Sequence, residues 1–280
     1  MMHEPLHVTP ELAARLEGLC AAEVDRFVAT SQAEDPDSQA ATLRVAGGVA
    51  AWVEHGMSVN QAFGLGFSEP VTTMDIEKIE RFYAMRRQGA VMGVCPLSHH
   101  SLLASLAARR WATIGFENVL VRPLAGLHDS LGAEASVPLP AVTVTEATTV
   151  AERDLWARLA AIGFSAPEEP TREQLNLARI VVRRNGTRLF LAWVDGEAVG
   201  TGELFITDNI AWLSGDATLE HARRTGVQRA LQLHRLAVAR DSGATLAVSE
   251  ADPGGVSQRN MERLGFRVAY TRVQMAAPAL

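Results

Sequence analysis

Three short fragments recur in the same order on either side of a stretch with neither helical nor strand periodicity, and this limits the possible folds more than any other feature. Ala51-Trp52-Val53-Glu54 is echoed by Ala192-Trp193-Val194-Asp195, and Asn60-Gln61-Ala62-Phe63 by Asn209-Ile210-Ala211-Trp212. Gly115-Phe116 with Arg122 is echoed by Gly265-Phe266 with Arg272, and the three separations are 141, 149 and 150 positions. Strand composition alone can produce one such match, but ordered echoes at near-constant spacing point to a duplicated domain. Between them, AGLHDSLGAEASVPLPA carries Pro138 and Pro140 among small residues and reads as a linker. The expected division is residues 1–125, a linker at 126–141, and residues 142–280. With 280 residues, 48% of them apolar, each half has enough material for a core of its own.

A formal net charge of -6 argues against a nucleic-acid wrapper or a polybasic membrane binder, since both need a cationic face. Cys20 and Cys95 show no finger or CxxC spacing and supply no disulfide framework, so a reducing compartment, the cytoplasm, is expected. No cationic segment precedes an apolar run at the N-terminus, and no window approaches about 18 uncharged apolar residues. Neither a signal peptide nor a membrane span is expected.

The elements predict a mixed α/β fold in each half, with a mostly antiparallel sheet flanked by helices. Thr149-x-x-Glu152 and Thr171-x-x-Gln174 are capping boxes, so two helices open the second half. RLFLAWV, AVGTGELFI and IAWLSGDATL follow, separated by the hairpin signals Asp195-Gly196 and Asp208-Asn209. A helix stopping at Gly243, the strand TLAVSEA, the short helix SQRNMERL and a last strand complete that half. The first half reads as a helix from about Glu11 capped by Thr9, strands within 43–67, helix 73–87, strand 90–94 and helix 99–110.

The segment from Ala217 to Leu231 carries the most chemistry: a strand runs into a basic, glycine-bearing turn and then a helix. Free N–H groups at a helix start converge on one point, and the helix dipole adds about half a positive charge there. Arg223, Arg224 and Arg229 add full charges, so the segment suits a pyrophosphate. Gly226 lets the phosphate approach the backbone donors.

Here the chain resembles the GCN5-related N-acetyltransferase family, whose signature is Arg or Gln, two residues, Gly, one residue, then Gly or Ala. It stands as Arg223-Arg224-Thr225-Gly226-Val227-Gln228, with Gln228 in place of the small last residue. The short helix, Gly-Phe and final strand of the family follow as Ser257 through Val268. The resemblance implies acetyl-CoA as cosubstrate, with no metal. The backbone near Ala217, Thr218 and Leu219 would pair with the pantetheine arm. Arg223, Arg224, Thr225, Gly226, Val227, Gln228 and Arg229 would hold the pyrophosphate, with Ser257 and Asn260 near the cofactor. The implied reaction is attack of a neutral amine on the thioester, helped by proximity worth about 7–11 kcal/mol and by a backbone N–H at the oxyanion.

Family members often carry a Tyr four residues before the Gly-Phe glycine; here that position is Met261. Tyr270 is a substitute acid by position. Glu203, Asp216 and Glu250 are candidate bases, with Glu250 favoured because it interrupts an apolar strand near its end.

The first half reads as a degenerate copy. Its phosphate turn would fall at Pro70 through Glu77, which has no glycine or arginine and a surplus of acid, so a pyrophosphate would be repelled. This half is expected to shape the acceptor pocket or to stabilise the whole. Cys95, His99 and His100 read as capping or surface residues, Gly64-Leu65-Gly66 as strand close-packing, and Trp52, Trp193 and Trp212 as core. The expected function is N-acetylation of a small-molecule amine, with no nucleic-acid or membrane partner. Transfer of another acyl group, or to an oxygen, and a non-catalytic CoA sensor or scaffold are the alternatives.

Overall fold

The computed structural model describes residues 7–125, 142–166 and 168–279. The expected linker, 126–141, lies outside the described residues. In chain order the elements are α1 (Pro10–Glu34), β1 (Ala41–Val45), β2 (Gly48–Trp52), β3 (Ala62–Phe63), α2 (Thr73–Ala84), β4 (Val91–Val94), α3 (Ser101–Ala108) and β5 (Ala112–Pro123). After the linker come β6 (Val142–Glu146), α4 (Val150–Ser165), α5 (Arg172–Arg183), β7 (Arg188–Val194), β8 (Glu197–Thr207) and β9 (Ile210–Thr218). A 3-10 turn (Glu220–Ala222), α6 (Val227–Asp241), β10 (Leu246–Ala251), α7 (Val256–Arg263) and β11 (Arg267–Ala276) follow.

The contacts divide the chain into two compact units. The first takes in the chain through Val119, Ala251–Gly255 and the chain from Val268 on; the second is Leu120–Glu250 with Val256–Arg267. Sequence order groups the last strand with the C-terminal half, whereas packing groups nearly all of it with the first unit.

In the first unit β1, β2 and β3 are joined antiparallel, β3 pairs parallel with β4, and β4 pairs antiparallel with β11. Four consecutive residues of β2 are buried, so both its faces are covered. Ile76, Ile79 and Phe82 of α2 pack with Leu102 and Leu106 of α3 over Met92 and Met275. Behind this core, Glu17 of α1 accepts from the Tyr270 hydroxyl at 2.8 Å and from Arg272 Nε and Nη2 at 3.0 and 2.9 Å. Arg272 also reaches Glu117 at 2.6 Å and the Cys20 sulfur at 2.9 Å.

In the second unit β6 through β9 form an antiparallel ladder, and β9 pairs parallel with β10. Ala198 through Leu204 are buried in succession, with α4 and α6 as cover. Glycine sets the approach distances: a Cβ on Gly163 of α4 would lie 2.7 Å from Ala217, and one on Gly200 would lie 2.5 Å from Val227. Both predicted capping boxes at Thr149 and Thr171 form, as does one at Thr72–Asp75.

The duplication is present, but two of the three echoes pair the wrong residues. Trp52 ends the second strand of its hairpin, while Trp193 lies in the first strand of the other hairpin. The matching hairpin turns are Ala46-Gly47 and Asp195-Gly196, with positive φ at all four residues. Gly115-Phe116 lies inside β5, with Phe116 56% exposed, whereas Gly265 (φ +80) turns the chain ahead of β11 and Phe266 is buried. The true counterpart is Arg110-Trp111. Arg110 has φ +59, and the Trp111 N–H bonds Leu106 O at 3.0 Å just as the Phe266 N–H bonds Met261 O at 3.1 Å. Only the middle echo is matched, since Ala62 pairs parallel with Met92 and Ala211 with Ala247. What repeats is a pattern of backbone bonds, and residue identity follows it loosely.

Other expectations are also corrected. Gly64 (φ +79) and Gly66 (φ +78) follow β3 as left-handed turn positions that favour glycine, rather than close-packing within a strand. Trp52, Trp193 and Trp212 are only half-buried, because each shares its strand face with solvent; the buried tryptophans are Trp111 and Trp156.

Asp75 and Glu152, in capping boxes, and Glu146, paired with Arg188, are all held below the ordinary carboxylate values, chiefly by hydrogen bonds from Thr72, Thr149 and Arg188. A depressed folded pKa contributes stability at higher pH that is lost as pH falls through that folded value. Urea midpoints should therefore hold from neutral pH down to the ordinary values of 3.8 and 4.5, and fall below them. A midpoint unchanged well below that range would contradict these pairings.

Candidate functional site

In the second unit β9 outruns its neighbour. Its parallel register with β10 ends at Val248↔Trp212, and the Ser249 hydroxyl then bonds Leu213 O at 2.7 Å, yet β9 continues to Thr218. The strands have separated there, which gives β9 an open edge.

Strand alternation decides which backbone groups face that edge. The Leu219 N–H bonds Val199 O at 2.9 Å, toward β8, and Leu219 O accepts from Ala222 N at 3.0 Å. Alternate residues of an antiparallel strand direct their polar groups to opposite sides, so Ala217 also turns toward β8, while Asp216 and Thr218 turn toward the open edge. Of the three residues expected to meet pantetheine, the structure thus brings Thr218 to the edge and adds Asp216; Ala217 and Leu219 face inward. The sequence carries no signal for this choice.

Beyond β9 the chain makes a 3-10 turn and enters α6 through two left-handed residues, Arg224 (φ +67) and Gly226 (φ +89). Gly226 is the N-cap and has no side chain of its own to cap the helix start. Arg223 and Arg224 are exposed, and Arg223 Nε donates to Thr218 O at 3.3 Å. Thr225 Oγ1 donates to Ala222 O at 2.6 Å, bracing the turn. Val227 is buried and Arg229 half-buried. Gln228 is held by Asn260 Nδ2 of α7 at 2.6 Å, so the departure from the family's small residue is tied to a second candidate residue. Ser257 is half-buried near the start of α7.

The first unit builds its counterpart differently. Asp75 Oδ2 accepts from Thr72 N at 3.1 Å and from its hydroxyl at 2.7 Å, so a carboxylate from the chain itself fills the start of α2. A groove of about 570 Å³ beside this turn is lined by Glu11, Glu69 and His99 among apolar residues. His99 accepts from Ser101 N at 3.2 Å, and burial pushes the Cys95 thiol up to about 12. Among the described residues no cluster of three or more His, Cys, Asp or Glu side chains could hold a metal ion.

The candidate bases differ in surroundings. Glu203 is 4% exposed and ion-paired with the buried Arg184. Asp216 pairs with the fully buried Arg235; burial raises its pKa while Arg235 opposes the rise. Glu250 is half-buried, two residues past the last β9–β10 register pair, where the strands separate. Tyr270 belongs to the first unit and is 6% exposed; burial raises its pKa, and its hydroxyl donates to Glu17. Met261 is a core side chain.

The profile described as the Acetyltransferase (GNAT) family matches residues 153–266. A GCN5-related N-acetyltransferase from Kribbella flavida is 18% identical and superimposes with a TM-score of 0.67 over 95% of this chain and 96% of its own. A functionally unknown conserved protein from Staphylococcus epidermidis ATCC 12228 is 12% identical, with a TM-score of 0.60 over 87% and 95%. A tandem GNAT protein from the clavulanic acid biosynthesis pathway is 18% identical, with a TM-score of 0.53 over 72% of this chain and 67% of its own. No curated protein matches the sequence. Among the described residues no helix is long and apolar enough to cross a membrane. Residues 153–266 thus match the acetyltransferase (GNAT) family, and the mixed α/β architecture of the chain is that of two GNAT-like domains.

Proposed function

We propose that this protein transfers an acetyl group from acetyl-CoA to the amine of a small molecule, using the second sequence half, 142–280, while the first half, 1–125, is a copy that has lost its cofactor site. The observation that carries this reading is the α6 start, whose N-cap is a glycine and which follows two left-handed residues and adjacent arginines, directly after a strand with an open edge. Pyrophosphate would lie on Arg223 through Arg229, and the pantetheine arm along the edge at Asp216 and Thr218.

A trans peptide places each N–H opposite the preceding C=O. The Gly215 carbonyl accepts from the Thr201 hydroxyl at 2.9 Å, so the Asp216 N–H turns away from Thr201 and β8. It would be the backbone donor to the thioester oxyanion. Of the candidate bases, Glu250 is the one on β10, half-buried two residues past the last β9–β10 register pair, where the strands part. Glu250 would take the proton from the attacking amine. The Tyr270 hydroxyl donates its hydrogen bond to Glu17, so the acid for the departing thiolate is assigned to solvent.

Calorimetric titration with acetyl-CoA, CoA and dephospho-CoA tests the cofactor, and thiol release across an amine panel tests the transfer. Saturable binding with release supports the enzyme. Tight binding with no release from any amine favours a CoA sensor, and no binding at millimolar ligand removes the reading. Glu250→Gln should lower kcat by about 10²–10⁴-fold with little change in acetyl-CoA affinity. Wild-type turnover in that variant would exclude Glu250 as the base.

A further inference from the structure

The β8–β9 ladder breaks register between Thr201 and Glu203, opposite Gly215 (φ +64). Such a bulge strips ladder partners from nearby carbonyls, and buried carbonyls need other donors. Side chains supply them here. Gly202 O accepts from the Trp156 indole at 3.2 Å, and Gly215 O from Thr201. Glu203 O and Ser214 O, on opposite strands, both accept from Arg235 Nη1, at 2.8 and 2.9 Å. Arg235 Nη2 donates to the Asp216 carboxylate, and Nε to Leu231 O at 3.2 Å.

Arg235 is 0% exposed, on the face of α6 that also buries Leu231 and Leu236. An apolar side chain would suit that face, and a buried cation is retained only where its bonds offset its desolvation. A planar guanidinium can bridge two strands and a carboxylate at once, whereas a lysine ammonium is a single point. Room is made for it: a Cβ on Gly202 would lie 2.8 Å from Arg235 Cζ and Nε.

We propose that Arg235 is a positioning residue for acyl transfer, holding Ser214 O and the Asp216 side chain on one guanidinium so that the Gly215–Asp216 peptide keeps its N–H toward the open edge of β9. This rests on the acetyl-CoA reading above. Arg235 touches neither cofactor nor acceptor; it acts through the bulge. The turn expected to hold pyrophosphate lies at the start of the same helix, eight residues before Arg235, so loss of Arg235 would uncouple cofactor affinity from polarisation of the thioester.

The test uses the full chain with acetyl-CoA labelled with carbon-13 at the acetyl carbonyl. Infrared difference spectra should show the bound carbonyl stretch lowered in the wild type. Arg235→Lys keeps a charge but has one nitrogen, so it cannot hold the carbonyls that Nη1 takes together with the Asp216 carboxylate that Nη2 takes; Gly202→Ala keeps the guanidinium but displaces it. Both should return the stretch toward that of free acetyl-CoA while calorimetric affinity stays near wild type, and both should reduce kcat for thiol release by about 10²-fold. Should Arg235→Lys not fold, Gly202→Ala reads the same quantity. A folded variant that keeps the lowered stretch overturns the proposal, as does wild-type binding without any lowering. Absence of wild-type binding removes the acetyl-CoA reading first, and this proposal with it.

Discussion

Arg223→Ala combined with Gly226→Asp should weaken acetyl-CoA binding by about 10²-fold or more, a change of at least about 2.7 kcal/mol in calorimetric titration. Three effects act together. Gly226 has φ +89, where a side chain costs about 1–2 kcal/mol, so the turn resists its own geometry. The new carboxylate would sit at the uncapped start of α6 and take the place of a phosphate oxygen. Loss of Arg223 removes a full charge and the Nε bond that ties the turn to Thr218 O. Circular dichroism would establish that the variant is folded. Wild-type affinity in a folded double variant would exclude this turn as the pyrophosphate site.

Arg272→Met should destabilise the protein by about 3–5 kcal/mol, read as a fall in the urea midpoint. Arg272 and Glu17 are 0% and 1% exposed, so solvent screens their attraction little. Removing the cation leaves the Glu17 carboxylate with the Tyr270 hydroxyl but without the two guanidinium bonds. Replacing both charged residues, as in Glu17→Leu with Arg272→Met, should cost less than the two single losses added together, because no uncompensated charge remains. Additive losses would show that the pair is not coupled. The result also bears on how the first unit is completed, since Arg272 lies on β11, which pairs with β4.

The helices and strands of the second half were legible because their signals are local. Thr149 and Thr171 announce their helices through a residue three positions on, and Asp195-Gly196 and Asp208-Asn209 announce hairpins through two positive φ angles. The turn at Arg223 through Gly226 was legible for the same reason: charge, glycine and helix start lie within a few residues. The duplication was legible in outline and mistaken in detail. Matching identities aligned Gly115-Phe116 with Gly265-Phe266, whereas the backbone bonds align Arg110-Trp111 with them. An arginine at φ +59 serves where the other copy uses glycine, and no identity records that substitution.

The chemistry of the carboxylates was not legible. Glu203, Asp216 and Glu250 look alike in sequence, and the partners of the first two, Arg184 and Arg235, arrive from other elements. Tyr270 looked available in sequence, but Glu17, far away in the chain, accepts the hydrogen bond of its hydroxyl.

The sequence by itself determined the elements, their mixed α/β class and the basic, glycine-bearing turn before α6, because capping, periodicity and left-handed turns act over a few bonds. Tertiary structure alone decided which backbone groups of β9 face the open edge, which acids are neutralised by buried arginines, and which strand the chain's last strand joins. Those outcomes depend on register and on desolvated contacts between residues far apart in sequence, whose energies exist only once the chain has packed.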